Sequence, residues 1–265
     1  MGKRKQWFRQ QDKAATHLVK LHRQLRKKPD ETALHQFRIG LRSLRIQLFA
    51  LAPQLEEALA SMKAAGNATN ALRDRDALLG LIVDWPPELT APLITQINAE
   101  TPAPEDAPTI LRLKGFDKTM RRLPLLLKRR MPGKHQLRQR IRHSARQLRH
   151  QSTARLQQLT PQTAPERWHD ARITVKKLRY LHEHLATWLP GRWRNLASAA
   201  KPAQEALGQL HDLDVLAADF GSGFSPALTV YWQEQRAHAL ARADSTAQTL
   251  LHALTHQPPT ASAHT

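Results

Sequence analysis

The 265-residue chain has no cysteine, which excludes disulfides and thiolate metal sites and leaves a reducing compartment open to it. Its 10 glycines and scarce β-branched clusters give strands and hairpins little to build on. Aromatic residues make up 5%, too few for the stacking platforms on which single-stranded nucleic acids lie. No apolar run reaches the roughly 18 residues that a membrane span requires. The opening MGKRKQWFRQQDKAATHLVKLH is charged throughout and has no stretch apolar enough for a signal peptide, so a cytoplasmic location is the default expectation. Acid is also short: 22 Asp and Glu stand against 41 Lys and Arg, a formal charge of +19 and a pI near 11.1. Such a surplus repels itself unless a polyanion shares the surface, and the candidates are nucleic acid, an anionic membrane surface or a chain of phosphates.

What the chain does have is apolar spacing of period 3.6 over long segments, which predicts an all-α protein. With 41% hydrophobic residues it can bury one large core or two ordinary ones. In the first half the spacing predicts helices over residues 5–27, 31–51, 54–81 and 110–130, with a weaker one over 87–98. In the second half it predicts 134–159, 166–189, 192–218 and 226–254. Pro29 and Asp30 supply a break and an N-cap for the second helix, and Pro53 follows its end. The acidic, proline-rich NAETPAPEDAPT (98–109) reads as an exposed connector. MPG at 131–133 is the expected boundary, giving halves 1–131 and 132–256, with the patternless 257–265 as a disordered tail.

Within residues 31–51, LHQFRIGLRSLR sets His35, Arg38, Arg42 and Arg45 in an arc of about 80° on a helix, while Leu34, Phe37, Leu41, Leu44 and Leu48 occupy a separate arc. Taken alone, the basic stripe is a solvated helix face. A second copy argues otherwise. In WHDARITVKKLRY, His169 answers His35, Arg172 answers Arg38, Ile173 answers Ile39, Lys176 answers Arg42, Leu178 answers Leu44 and Arg179 answers Arg45. Each copy is trailed by an echo, LRDRDALL and LHDLDVLA, which pairs Asp74 and Asp76 with Asp212 and Asp214. The chain is an internal duplication with a period near half its length.

The repeated H-x-x-R-I-x-x-(R/K)-x-L-R followed by D-x-D resembles the CHAD family, a histidine-named α-helical domain, over nearly the whole chain; VKKLRYLHEHL and LGQLHDLDVL resemble its second repeat most closely. The resemblance implies duplicated four-helix units related by a pseudo-twofold axis around a basic central channel or groove, and it implies binding of inorganic polyphosphate. Polyphosphate is a flexible thread of tetrahedral anions without bases, so a binder needs closely spaced charges and arginine forks. His35, Arg38, Arg42, Arg45, His169, Arg172, Lys176 and Arg179 are therefore the first binding candidates. Arg9, Lys13 and Lys20 in the first helix, and Arg138, Arg142 and Arg149 in the helix over 134–159, are further ones, with ordinary solvated charge as the alternative. Asp74, Asp76, Asp212 and Asp214 are expected to support the site, a carboxylate fixing an arginine rotamer by an ion pair; exposed aspartates are the alternative.

Two rivals remain. HD at His169-Asp170 and His211-Asp212 permits a metal-dependent phosphohydrolase, but the first copy has Gln36 and Arg73 where the second has Asp170 and His211. Nonspecific nucleic-acid binding fits the charge, without a recognition motif or zinc module, and weak binding of this kind is compatible with a polyphosphate site. HEH at 182–184 diverges on a helix and is expected to face solvent. The E-x-E-x-K strand motif of the triphosphate-hydrolysing domains found beside some family members is absent. The expectation is thus a non-catalytic binding module without cofactor or metal, one role for which is to bring the protein to polyphosphate granules; the oligomeric state is not indicated.

Overall fold

The computed structural model describes residues 3–28, 30–130, 133–193 and 195–256, and among these every regular element is helical. Pro29, the Met131-Pro132 part of the expected boundary and the tail 257–265 lie outside the described residues. The elements are α1 (Lys3–Leu25), α2 (Glu31–Leu51), α3 (Glu56–Ala68), α4 (Asn70–Ile82), α5 (Pro87–Glu100), the short α6 (Ala107–Ile110), α7 (Phe116–Arg130), α8 (Lys134–Leu156), α9 (Pro165–Leu185), α10 (Leu196–Phe220) and α11 (Pro226–Thr255). The chain divides into two compact units, Met1–Arg140 with Gly223–Ser225, and Ile141–Ser222 with Pro226–Thr265. The division falls inside α8, later than the proline-glycine boundary that the sequence suggests.

In the first unit α1 packs on α2 and α7, and α3 packs on the same two helices. Asp30 caps α2, accepting from the Ala33 backbone amide at 2.7 Å, so α2 starts where the sequence predicts. Its expected apolar stripe is buried: Leu34, Phe37, Leu41, Leu44 and Leu48 are each 4% exposed or less. Burial of each such side chain contributes about 1.5–3 kcal/mol, so this stripe fixes which face of α2 is left outward. On the same side, Gln47 accepts from Trp7 and Gln11 of α1 at 3.0 and 2.9 Å. His22 sets its Nδ1 2.7 Å from an Asp117 carboxylate oxygen and its Nε2 2.8 Å from the Leu111 carbonyl oxygen, beside the Phe37 and Phe116 rings.

The structure corrects several boundaries. The helix expected over 54–81 is two helices broken at Thr69, whose hydroxyl donates back to the Ala65 and Gly66 carbonyls, a local bond that competes with helix continuity. The helix expected from 110 begins at Phe116, because the chain turns at Gly115, with φ of 82°, and Leu111 sends its carbonyl to His22. The connector 98–109 is partly structured: α5 extends into it, Pro104–Asp106 forms a 3-10 turn, and Ala107 is buried.

In the second unit α10 packs between α9 and α11. Trp168, Ala171, Val175, Leu178, Leu181 and Leu185 bury one face of α9, as the corresponding stripe does on α2. Arg155 of α8 donates to the Asp170 carbonyl and the Thr174 hydroxyl of α9 at 2.7 and 2.6 Å. The expected helix 166–189 ends at Leu185 and tightens into a 3-10 turn, Ala186–Trp188; α10 likewise begins at Leu196 after a 3-10 turn, Gly191–Trp193. HEH does not face solvent as a pair. His182 is fully buried, its Nδ1 donating to the Leu178 carbonyl at 2.8 Å, while His184 stacks on Tyr180.

Candidate anion sites, one in each unit

The two copies of the stripe lie in different units, and each has a pocket beside its histidine. In the first unit the outward face of α2 meets α4 around a cavity of about 340 Å³ lined by His35, Arg38, Arg42, Arg73, Asp76 and the apolar Leu34, Ile39 and Ala77. Three of the four predicted α2 residues thus share one pocket. Arg45, one turn further, is exposed and carries its guanidinium past Gly66 of α3.

Arg38 is fixed. Its Nη1 donates to the Thr69 carbonyl and, at 2.5 Å, to the Thr69 hydroxyl, and its Nη2 reaches Asn70 Oδ1 at 3.2 Å. The helix break at Thr69 therefore supplies the acceptors that hold this guanidinium at the pocket wall. Burial, then the like charges of Arg73 and Arg42, pull the Arg38 pKa down to about 10, against the opposing pull of Asp74 and Asp76. The group stays cationic near neutral pH, in a site whose mutual repulsion an arriving anion relieves. Asp74 receives Arg73 at 3.1 Å, and Asp76 lies 3.8 Å from Arg75. Burial and the nearby Glu31 raise the Asp76 pKa, with Arg75 and Arg38 acting in the other direction.

In the second unit α9, α10 and α11 enclose a pocket of about 600 Å³ that contains His169, His211, Asp170, Asp214, Trp232 and Arg236, with Glu166 and Arg167 at its edge. His169 and His211 place their Nδ1 atoms 3.2 Å apart, with ring centroids at 4.4 Å. Asp214 takes Arg236 Nε at 2.6 Å, the carboxylate-held arginine that the sequence leads one to expect, although the arginine comes from α11. Burial, then Arg172 and Lys176, lower the His169 pKa, and Asp170 opposes them. Asp212 is half-buried on α10.

The remaining candidates disperse. Arg172 is 6% exposed, so the residue that answers Arg38 lies within the packing of α9. Lys176 is half-buried, and Arg179 contacts Gln204, Glu183 and the Tyr180 ring. Arg9, Lys13 and Lys20 are exposed on α1, where Lys20 lines a groove with Arg23 and Arg121 that shares no residue with the α2–α4 pocket. Arg138 is exposed and Arg142 half-buried. Arg149 is used inside the second unit, stacked over Trp193 at 4.9 Å and donating to the Leu254 carbonyl at 2.9 Å. Arg73, His211, Trp232 and Arg236 join the pockets without having been singled out as binders. The D-x-D echo pointed to the first two, whereas Trp232 and Arg236 lie on α11, outside the repeated motifs.

Among the described residues no group of three or more His, Cys, Asp and Glu side chains converges as a metal site requires, and no helix is long and apolar enough to cross a membrane. A family model described as the CHAD domain matches residues 9–219. The chain is also similar to a solved structure, the crystal structure of the CHAD domain from the plant Ricinus communis, with a TM-score of 0.63 and 21% identity over 92% of this chain and 89% of that one. No curated protein matches.

Proposed function

Because the chain belongs to the CHAD family, we propose that it is a non-catalytic module that binds inorganic polyphosphate through the basic stripes of its two units. The observation that carries this reading is the α2–α4 pocket, where Arg38, Arg42 and Arg73 stand with His35 around one open cavity and Arg38 is held in place by Thr69. Guanidinium forks suit phosphoryl oxygens, and a fork already anchored loses less side-chain entropy when the ligand arrives. Arg45 extends the row along α2, and His169, Lys176 and Arg179 form its counterpart on α9. The net charge of +19 adds a field that draws a polyanion from a distance and weakens with salt. In a cell such a module would bring the protein to polyphosphate granules.

The test is competition. Labelled long-chain polyphosphate bound to the full chain is challenged with unlabelled polyphosphate, duplex DNA, single-stranded RNA and triphosphate at two salt concentrations. Displacement by unlabelled polyphosphate far below the concentrations at which nucleic acids act supports the reading. Equal displacement by DNA or RNA makes the surface a general polyanion binder, and phosphate release that EDTA abolishes replaces binding with metal-dependent hydrolysis.

A further inference from the structure

The two pockets differ at one informative position. Arg73 follows Leu72 at the start of the first echo, and its counterpart after Leu210 is His211. A permanent cation in the first unit is thus exchanged for a titratable ring in the second, and that ring meets His169 at an Nδ1 to Nδ1 distance of 3.2 Å. Resting on the polyphosphate reading, we propose that His169 and His211 form a two-imidazole phosphate subsite that takes up a proton as it fills, so that acid recruits the second unit to the ligand.

At 3.2 Å one Nδ1 must be the donor and the other the acceptor, so the resting pair has room for only one proton between the rings. A second proton would set two N–H groups against each other. That state is relieved when an oxyanion accepts from both, which is the geometry a phosphoryl group offers.

The surrounding charge favours this coupling. α9 contributes Glu166, Arg167 and Asp170, α10 contributes Asp214, and α11 contributes Arg236. With neutral imidazoles the pocket sets two guanidiniums against three carboxylates, and one of those guanidiniums is already committed to Asp214 at 2.6 Å. From α8, Arg155 reaches the Asp170 carboxylate only at 4.0 Å. The pocket is therefore a poor anion host until its histidines charge, and Asp170 favours a charge on His169. Further along α9, Arg172 and Lys176 oppose a charge on His169, so a phosphate chain that neutralises them makes protonation easier. Binding and proton uptake then promote each other. Trp232 keeps the wall in place, its Nε1 donating to the Leu213 carbonyl at 3.0 Å.

The experiment is isothermal titration of the full chain with long-chain inorganic polyphosphate, near pH 8 and near pH 6, in buffers of different ionisation enthalpy. The wild type should take up protons on binding and gain about threefold to tenfold in affinity at the lower pH, in line with an average uptake of about a quarter to a half of a proton across those two pH units. His211→Arg, which installs the residue of the first unit, should bind more tightly near pH 8 and lose most of that pH gain and proton uptake. Should this variant misfold by circular dichroism, His211→Gln serves instead and should lose the gain near pH 6. Proton uptake that is unchanged in the variant overturns the subsite while leaving polyphosphate binding intact. Failure of the wild type to bind polyphosphate at either pH overturns the underlying reading.

Discussion

The α2–α4 pocket of the first unit holds three guanidiniums against one carboxylate, whereas the α9–α11 pocket of the second holds two against three and adds a pair of touching imidazoles. The same H-x-x-R-I pattern begins both. The difference comes from what surrounds the pattern: Thr69 turns Arg38 to the pocket wall in the first copy, while in the second Arg172 is buried and α11 brings Trp232 and Arg236. We propose that the repeated pattern serves two diverged sites, one permanently cationic and the other dependent on protons.

Disrupting the shared scaffold should have the largest effect and be equal in the two copies. Leu44 and Leu178 correspond and are 1% and 0% exposed, so Leu44→Ala and Leu178→Ala should each lose about 2–5 kcal/mol of stability in denaturant melts. A large inequality would show that the copies do not bury their stripes alike. The next effect separates them. Leu48 of the first copy is answered by His182, both fully buried, and burial above all pushes the His182 pKa from 6.5 down to about 4. Between those values the unfolded chain binds the extra proton and the folded chain refuses it. Stability is thus complete above pH 6.5 and falls as pH drops toward 4, by on the order of 3 kcal/mol. His182→Leu should flatten that acid decline, as read from chemical denaturation at a series of pH values.

Binding effects are smaller. Arg38→Ala with Arg42→Ala should weaken polyphosphate binding near pH 8 by about tenfold or more, at about 1.5 kcal/mol or more for losing charge-assisted hydrogen bonds. His169→Ala should change it far less at that pH, and equal losses would erase the distinction between the pockets. Smallest of all, Asp76→Asn removes the one carboxylate lining the first pocket. It should tighten binding about twofold, in keeping with the modest worth of exposed charge interactions.

The sequence made the helices with clear caps and stripes legible. α2 was predicted over 31–51 and spans those residues, because Asp30, the apolar stripe and Pro53 agree. The break at Thr69 was not legible. It rests on bonds from Thr69 to Ala65 and Gly66 and on Arg38 arriving from another helix, a tertiary event that periodicity does not encode. The same holds for the sites. His35, Arg38 and Arg42 share a pocket because consecutive turns of one outward helix face stay together, which spacing predicts. Arg172 sits at the same repeat position as Arg38 and is nonetheless buried, and Arg149, a binding candidate by its spacing, stacks on Trp193. Helical spacing ranks residues by direction around the axis. It does not say which neighbouring helix covers that direction.

The most direct test of the account is the salt dependence of polyphosphate affinity near pH 8 for the wild type and for Arg38→Ala with Arg42→Ala, each checked for native circular dichroism. The account predicts affinity lower by about tenfold or more and a shallower salt slope in the variant, because fewer counterions are displaced when two guanidiniums are missing. Identical affinity and slope in the two proteins would contradict it and move the polyphosphate site away from α2.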